Sequence, residues 1–338
     1  MNWYRGGVLA MASILATGWG TGSSASSSTL KASKPLVLGI TVYPPTVPVV
    51  ALAVDGAKAE ARKRGVNAKF AFAADAASQQ SAVETLLGEG VKVLAIDPND
   101  STAITTAVKE ANSRKIPVIM WVGTAAGGKV ATTISSDELK GGKNIAQYIF
   151  KTFMRGSGDV AFVQGDETHS AFINREKGFR AVLARYRNIK LVALGIGNQT
   201  ADQAYPVALD MITKNPQLKA IFADSDAMAD GVYRAVVASG KAGQIGVFGY
   251  NGACQTLHSI WQGKITATLY QGWSGFGVTV VDTALKLYNT HSAPKTIVQP
   301  TYVIDKKAMS QIHNGRYAVK NASLTSAINA AIANRCPS

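Results

Sequence analysis

Leu218-Lys-Ala-Ile-Phe-Ala-Asp-Ser-Asp226, with Ile245-Gly-Val-Phe-Gly-Tyr-Asn-Gly252 one helix further on, is the stretch that decides how this chain folds. Each part begins as a short apolar run and breaks into polar residues, Asp224, Ser225 and Asp226 in the first and Asn251 in the second. Between them Ala227, Met228, Val232, Ala235 and Val236 recur at helical spacing, and Gly240 closes the segment. Two apolar strands around one helix read as a βαβ unit of a parallel sheet. Ser and Asp at the helix start satisfy its free N–H groups, so residues 224–226 are expected first of all to cap the helix. In such sheets ligands bind beyond the carboxyl ends of the strands, which leaves a neighbouring residue open to a second role.

The same alternation extends outward. Strands are expected at Val37–Val42, Ala68–Ala73, Val91–Ile96 and Pro117–Val122, with helices at Pro48–Arg64, Ala76–Leu87 and Ser101–Lys115 between them. After Val130–Ser135 and a long amphipathic helix to Met154, the rhythm restarts beyond Gly156 with Asp159–Gln164, a helix to Tyr186, Lys190–Leu194 and a helix Ala201–Lys214. Ile265–Tyr270, a helix to Tyr288, a last strand Thr296–Ile304 and a terminal helix Ser323–Ala333 follow. A repeat of roughly 25–30 residues is that of successive βα units. The restart implies two similar α/β lobes, and the absence of a Ser/Pro-rich or charged linker implies short hinges.

At 338 residues the chain is long enough for two ordinary cores, and 47% apolar with 17% charged residues is a globular composition. The formal charge of +14 is spread thinly, without the dense basic run and interleaved aromatics of a nucleic-acid surface. Arg5, an apolar run from Gly6 to Ala16, and a small-residue stretch to Thr29 fit a secretory signal, residues 1–25, with cleavage expected near Ala25. The run is too short to span a bilayer, which takes ~20 residues. An exported protein permits a disulfide between its two cysteines, Cys254 and Cys336, although spacing alone leaves their distance open.

Catalytic and metal motifs fail one by one. Gly123-Thr-Ala-Ala-Gly-Gly-Lys129 matches a phosphate loop until Val130, where the Mg²⁺-binding hydroxyl and the helix start should be. His169, His258, His291 and His313 have no metal-ligand spacing, and neither cysteine lies in a nucleophile motif. Asp224 and Asp226 pair carboxylates, but no base–nucleophile partner accompanies them. No enzyme, metal or cofactor is expected.

Several motifs in order resemble the periplasmic sugar-binding proteins of ABC importers, of the ribose-binding type. They are Asp55-Gly-Ala-Lys58, Ala95-Ile-Asp-Pro-Asn-Asp100, Ile116-Pro-Val-Ile119, Ser136-Asp137, Arg175-Glu-Lys-Gly-Phe179, Phe222-Ala-Asp-Ser-Asp-Ala-Met228, Val247-Phe-Gly-Tyr-Asn-Gly252 and Thr268-Leu-Tyr-Gln271. The resemblance covers residues 36–306. LacI-type repressors share that fold but carry a helix-turn-helix where this chain has its leader. The resemblance implies a type I periplasmic binding protein fold: two doubly wound parallel-sheet lobes, 34–136 plus 272–300 and 137–271 plus 301–338. The chain would cross between them near Ser135–Asp137, Gln271–Trp273 and Gln299–Thr301. Both cysteines would then lie in the second lobe. It also implies a monomer that closes on a small sugar-like or related polar solute in the periplasm and presents it to an ABC permease. A sensor passing a signal to a chemoreceptor or histidine kinase would use the same trap.

Carried over by position, Arg175 matches the family's cleft arginine, whose fork grips hydroxyls or a carboxylate, and Gln271 its hinge glutamine. Asn251 stands where sugar binders often have Asp, Ser225 replaces an Asn, and Tyr250 keeps an aromatic position. The first lobe departs from the pattern. The family's Asn-Pro-Phe-Phe becomes Val47-Pro-Val-Val50, and its Asp-Arg pair becomes Val122-Gly123. Tyr43, Thr46, Phe172 and Trp273 are expected to compensate, with Trp121 facing the core if Val122 faces the cleft. A sugar lacking the missing partners would bury unpaired hydroxyls at about 1–3 kcal/mol each. A less hydroxylated, partly apolar or anionic small solute is then as plausible as ordinary ribose.

Overall fold

The computed structural model describes residues 35–336; the leader read at residues 1–25 lies outside them. The chain runs β1 (Val37–Val42), α1 (Pro48–Arg64), β2 (Asn67–Phe72), α2 (Ala76–Gly88), β3 (Val93–Ile96), α3 (Thr105–Ser113), β4 (Val118–Trp121) and β5 (Thr132–Ser135). It continues with α4 (Glu138–Gln147), which widens into a π turn over Tyr148–Phe153, then β6 (Gly158–Gln164), α5 (Ser170–Leu183), β7 (Ile189–Ile196), α6 (Ala201–Lys214), β8 (Leu218–Ala223) and α7 (Asp226–Ala238). The remainder is β9 (Gly246–Asn251), α8 (Cys254–Trp261), β10 (Ala267–Tyr270), α9 (Trp273–Thr290), β11 (Thr296–Val298), β12 (Tyr302–Asp305), α10 (Lys306–His313) and α11 (Ala322–Ile332).

These strands form two six-stranded sheets, in the orders β11-β5-β4-β3-β1-β2 and β12-β10-β9-β8-β6-β7. All neighbours are parallel except β10 and β12. Each sheet is covered on both faces, which is why strands such as Val93–Ile96 are apolar at every position rather than alternating. In the first sheet, one apolar layer packs under α1 and α9 and a second under α2 and α3. In the second sheet, α6, α7, α8, α10 and α11 cover one face, and α4 and α5 the other. The opening βαβ reading stands: β8 and β9 pair in parallel through Ile221 and Val247, and Ser225 caps α7 by accepting from the Met228 N–H.

The chain passes between the sheets after Ser135, at Gln271–Gly272 and at residues 299–301. The single strand expected at Thr296–Ile304 is in fact two. Its first half pairs with β5, its second with β10, and the break falls at Gln299-Pro300, where proline has no N–H for a ladder. The helices Cys254–Trp261 and Lys306–His313 were not anticipated; the second starts where the Asp305 carboxylate accepts from Ala308 N–H at 2.7 Å. The α3 helix begins only at Thr105, because Asp100 first holds a turn by accepting from the Thr102 and Ala103 N–H groups, each at 2.7 Å.

Cys254, at the start of α8, and Cys336, beyond α11, are disulfide-bonded with Cα atoms 5.4 Å apart. The bond ties the C-terminal segment to the second sheet's outer layer. Among the described residues no helix is long and apolar enough to cross a membrane, and no cluster of three or more His, Cys, Asp or Glu is arranged to hold a metal.

Candidate functional site

The carboxyl ends of the two sheets face a common cavity of ≈ 380 Å³. The first lobe contributes Tyr43 after β1, Val47–Val50 at the start of α1, Asp97 after β3, Val122 after β4, and Trp273 at the start of α9. The second contributes His169, Phe172 and Arg175 after β6, Gln199 after β7, Ser225 and Asp226 after β8, and Asn251 at the end of β9. Sheet topology alone brings these together, since they are spread over 231 positions of sequence, Tyr43 to Trp273, counted inclusively (273 − 43 + 1).

Arg175 is the centre of the second-lobe wall and is only 1% exposed. It reaches its place because α4 and α5 pack almost backbone to backbone: a Cβ on Gly178 would meet the Leu139 carbonyl, and one on Gly142 the Arg175 carbonyl. That approach lets Arg175 Nε donate to Glu138 Oε2 at 2.8 Å, while Nη1 donates to the Asp224 carbonyl at 2.7 Å. The guanidinium lies 4.0 Å from the Tyr250 ring centroid and 4.9 Å from that of Phe172. Burial alone would weaken its hold on the proton, but Glu138 carries it above the ordinary arginine range. Arg175 also lines the cavity.

Glu138 is the hub behind this arginine. Its Oε1 accepts from Ser136 Oγ at 2.7 Å and from Gln271 Nε2 at 2.9 Å. Gln271 Nε2 also donates to Ser136 Oγ at 2.5 Å, and Gln271 Oε1 accepts from Asn251 Nδ2 at 2.8 Å. Ser136 and Gln271 sit on two of the segments that pass between the sheets, so one buried network joins the hinge to the cavity wall.

The acids differ sharply in environment. Asp226 accepts from Thr268 Oγ1 and from Ala253 N–H, both at 2.6 Å, yet burial pushes its carboxyl up to about 7. Asp224 is fully buried with no hydrogen-bond partner on either carboxylate oxygen; burial pushes it up to about 8, against the pull of Arg175. Asp97 is also raised by burial, with His169 pulling the other way. His169 Nδ1 accepts from Ala171 N–H, and its Nε2 lies 3.5 Å from Asp97 Oδ1 across the cleft. At the lip the lobes touch directly: Ser101 N–H donates to the Thr168 carbonyl at 3.1 Å, Ser170 N–H to Ser101 Oγ at 3.0 Å, and Thr124 N–H to Ser170 Oγ at 2.9 Å. The cleft is closed.

A periplasmic binding protein domain matches residues 38–291. The chain belongs to the periplasmic binding protein family. The Bacillus subtilis ribose import binding protein is 32% identical over 272 residues, covering 79% of this chain and 86% of that protein. The ribose import binding protein of Salmonella typhimurium is 34% identical over 259 residues, covering 75% and 83%. Among solved structures, a periplasmic solute-binding protein of an ABC transporter from Actinobacillus succinogenes with bound D-allose superposes with a TM-score of 0.76 at 26% identity, covering 81% of this chain and 98% of that one.

In this periplasmic binding protein the residues read from sequence fall into three groups. Tyr43, Phe172, Arg175, Ser225, Asn251 and Trp273 line the cavity. Tyr250 and Gln271 stand behind the wall, under Arg175 and Asn251 respectively, and position rather than line. Thr46 is exposed and absent from the lining, because Pro44 and Val47 close a turn that leaves it on the outside. Trp121 is 2% exposed within the first-lobe core, while Val122 lines the cavity, as their alternation suggested. Asp97, His169 and Gln199 were missed. Asp97 ends a continuous apolar strand, so the rule used for Asp224 and Asn251 would have found it. His169 was weighed only as a metal ligand, and nothing local marks Gln199.

Proposed function

We propose that this chain is the periplasmic solute-binding subunit of an ABC importer, which captures one small sugar or polyol between its lobes and delivers it unaltered. The carrying observation is the closed cavity between two parallel sheets, lined from both lobes and anchored on the buried Arg175. Family membership supports it, and so do relatives named for ribose import and a solved neighbour holding D-allose. The lobes act as the rigid units 34–136 plus 272–300 and 137–271 plus 301–338, opening about the network of Ser136, Glu138 and Gln271. Arg175, Ser225, Asn251, Tyr43, Phe172 and Trp273 contact the solute, and export through a cleaved leader brings a monomer to its permease. The reading is binding without catalysis, supported by relatives named as import binding proteins.

A thermal-shift screen over sugars, polyols, cyclic and anionic metabolites tests this, since a ligand that binds only the folded state raises the melting point. At least one sugar or polyol should raise it, and Arg175→Ala should abolish the shift. A screen in which no sugar or polyol acts, or an Arg175→Ala variant with the full shift, overturns the proposal.

A further inference from the structure

The two walls of the cavity differ in chemistry. The second lobe offers Arg175, Gln199, Ser225 and Asn251, all able to hydrogen-bond a hydroxyl. The first lobe presents Val47, Pro48, Val49, Val50 and Val122. Its polar groups are few: the Tyr43 hydroxyl points to the Asn99 carbonyl at 3.5 Å, Asp97 faces His169, and the buried Trp273 Nε1 has no partner. A hydroxyl pressed on the valine wall would therefore lose water without replacement, whereas a CH₂, CH or methyl group would gain apolar contact.

Charge narrows the solute further. Arg175 is the only Lys or Arg lining the cavity among the described residues, and Glu138 already neutralises it at 2.8 Å. Asp97, Asp226 and Asp230 line the same space. An anionic solute would meet no uncompensated cation and several acids.

Val122 is the position where the wall is most costly to build. Its φ is +60°, the left-handed region that β-branched residues avoid and that Asn tolerates well. The next residue cannot supply a side chain instead, since a Cβ on Gly123 would lie 2.7 Å from Pro98 Cγ and 2.8 Å from His169 Cε1. Strain kept at a ligand-facing residue argues for a role of its side chain.

We propose, building on the solute-binding reading above, that the preferred solute is a neutral, partly deoxygenated sugar or polyol. It turns its hydroxyls to the second lobe and a methyl or CH-rich face to the first, and Val122 sets this preference.

Isothermal titration of the full chain with three matched pairs tests it: D-ribose and 5-deoxy-D-ribose, D-galactose and 6-deoxy-D-galactose, L-mannose and 6-deoxy-L-mannose. D-galacturonate serves as the charged control. At least one deoxy sugar should bind about tenfold or more tighter than its parent, the equivalent of one hydroxyl left unpaired. Val122→Asn should still fold, because the backbone there suits Asn, and should narrow or invert that ratio. Parents binding as tightly as their deoxy partners, tighter binding of the acid, or an unchanged ratio in Val122→Asn overturns this proposal while leaving solute capture intact. Binding of none of the six neutral sugars overturns this proposal, whereas solute capture falls only if the thermal-shift screen finds no sugar or polyol.

Discussion

Replacing Glu138 with Gln separates the hub of the buried network from the fold around it. Glu138 accepts three hydrogen bonds, from Arg175 Nε, Ser136 Oγ and Gln271 Nε2, and is 5% exposed. An amide has one acceptor oxygen, so its NH₂ must face either the arginine or the Ser136 and Gln271 donors, and the guanidinium is left buried without its counter-charge. Breaking a buried pair in this way costs about 3–5 kcal/mol. At about 2.1 cal/mol/K of unfolding entropy per residue, each kcal/mol moves the melting point of a chain of this length by about 1.5 °C, so Glu138→Gln should melt roughly 5–8 °C lower in scanning calorimetry. The double variant Glu138→Leu/Arg175→Met removes both charges and should recover most of that loss, because Met fills the slot between Phe172 and Tyr250. Both variants should fail to bind the solute that stabilises the parent. A loss below about 1 kcal/mol in the single variant, or a double variant no more stable than the single, would refute the account of Glu138 as the charge that makes Arg175 tolerable.

Other consequences follow from the buried acids and the disulfide. Asp224 ionises near 3.8 in the unfolded chain but only near 8 when folded, so its contribution is full below 3.8 and is lost as pH rises through about 8; Asp226 acts in the same direction up to about 7. Urea titrations at pH 5 and pH 8 should therefore show Asp224→Asn losing less stability across that interval than the parent, by on the order of 1 kcal/mol or more. Equal losses would mean that the folded protein does not hold the Asp224 proton. Cys254→Ser/Cys336→Ser opens a link across 82 residues and should cost about 2–4 kcal/mol, measured by the same titration with and without reductant on the parent. If reduction leaves the parent's midpoint unmoved, the bond is not a stabilising element.

The architecture was legible because its signals are local. Apolar runs such as Val93–Ile96 and Leu218–Ala223, separated by capped amphipathic helices, can satisfy their backbones and bury their faces only as parallel sheets covered on both sides. The restart after Gly156 marked a second lobe for the same reason. Where two segments with similar local signals belong to different partners, sequence could not choose. Thr296–Ile304 reads as one strand, and only the competition of β5 and β10 for its two halves divides it.

The site divides in the same way. Ser225 and Asn251 were visible as polar residues at or just beyond strand ends, Arg175 only through the order of motifs it shares with the family, and the valines of the first lobe as departures from that order. That Glu138 neutralises Arg175, that Gln271 holds Asn251 rather than lining the cavity, and that Asp97 and His169 meet across the cleft depended on pairs 37, 20 and 72 residues apart (169 − 97 = 72 for the last). The two cysteines were countable from the start, but their bond needed α8 and α11 to pack. Periodicity is a property of neighbours along the chain, and so the chain alone determined two covered sheets with polar carboxyl ends. Hydrogen bonding and charge compensation are properties of neighbours in space, and so only the tertiary structure decided which of those polar groups face a guest and which are already spent.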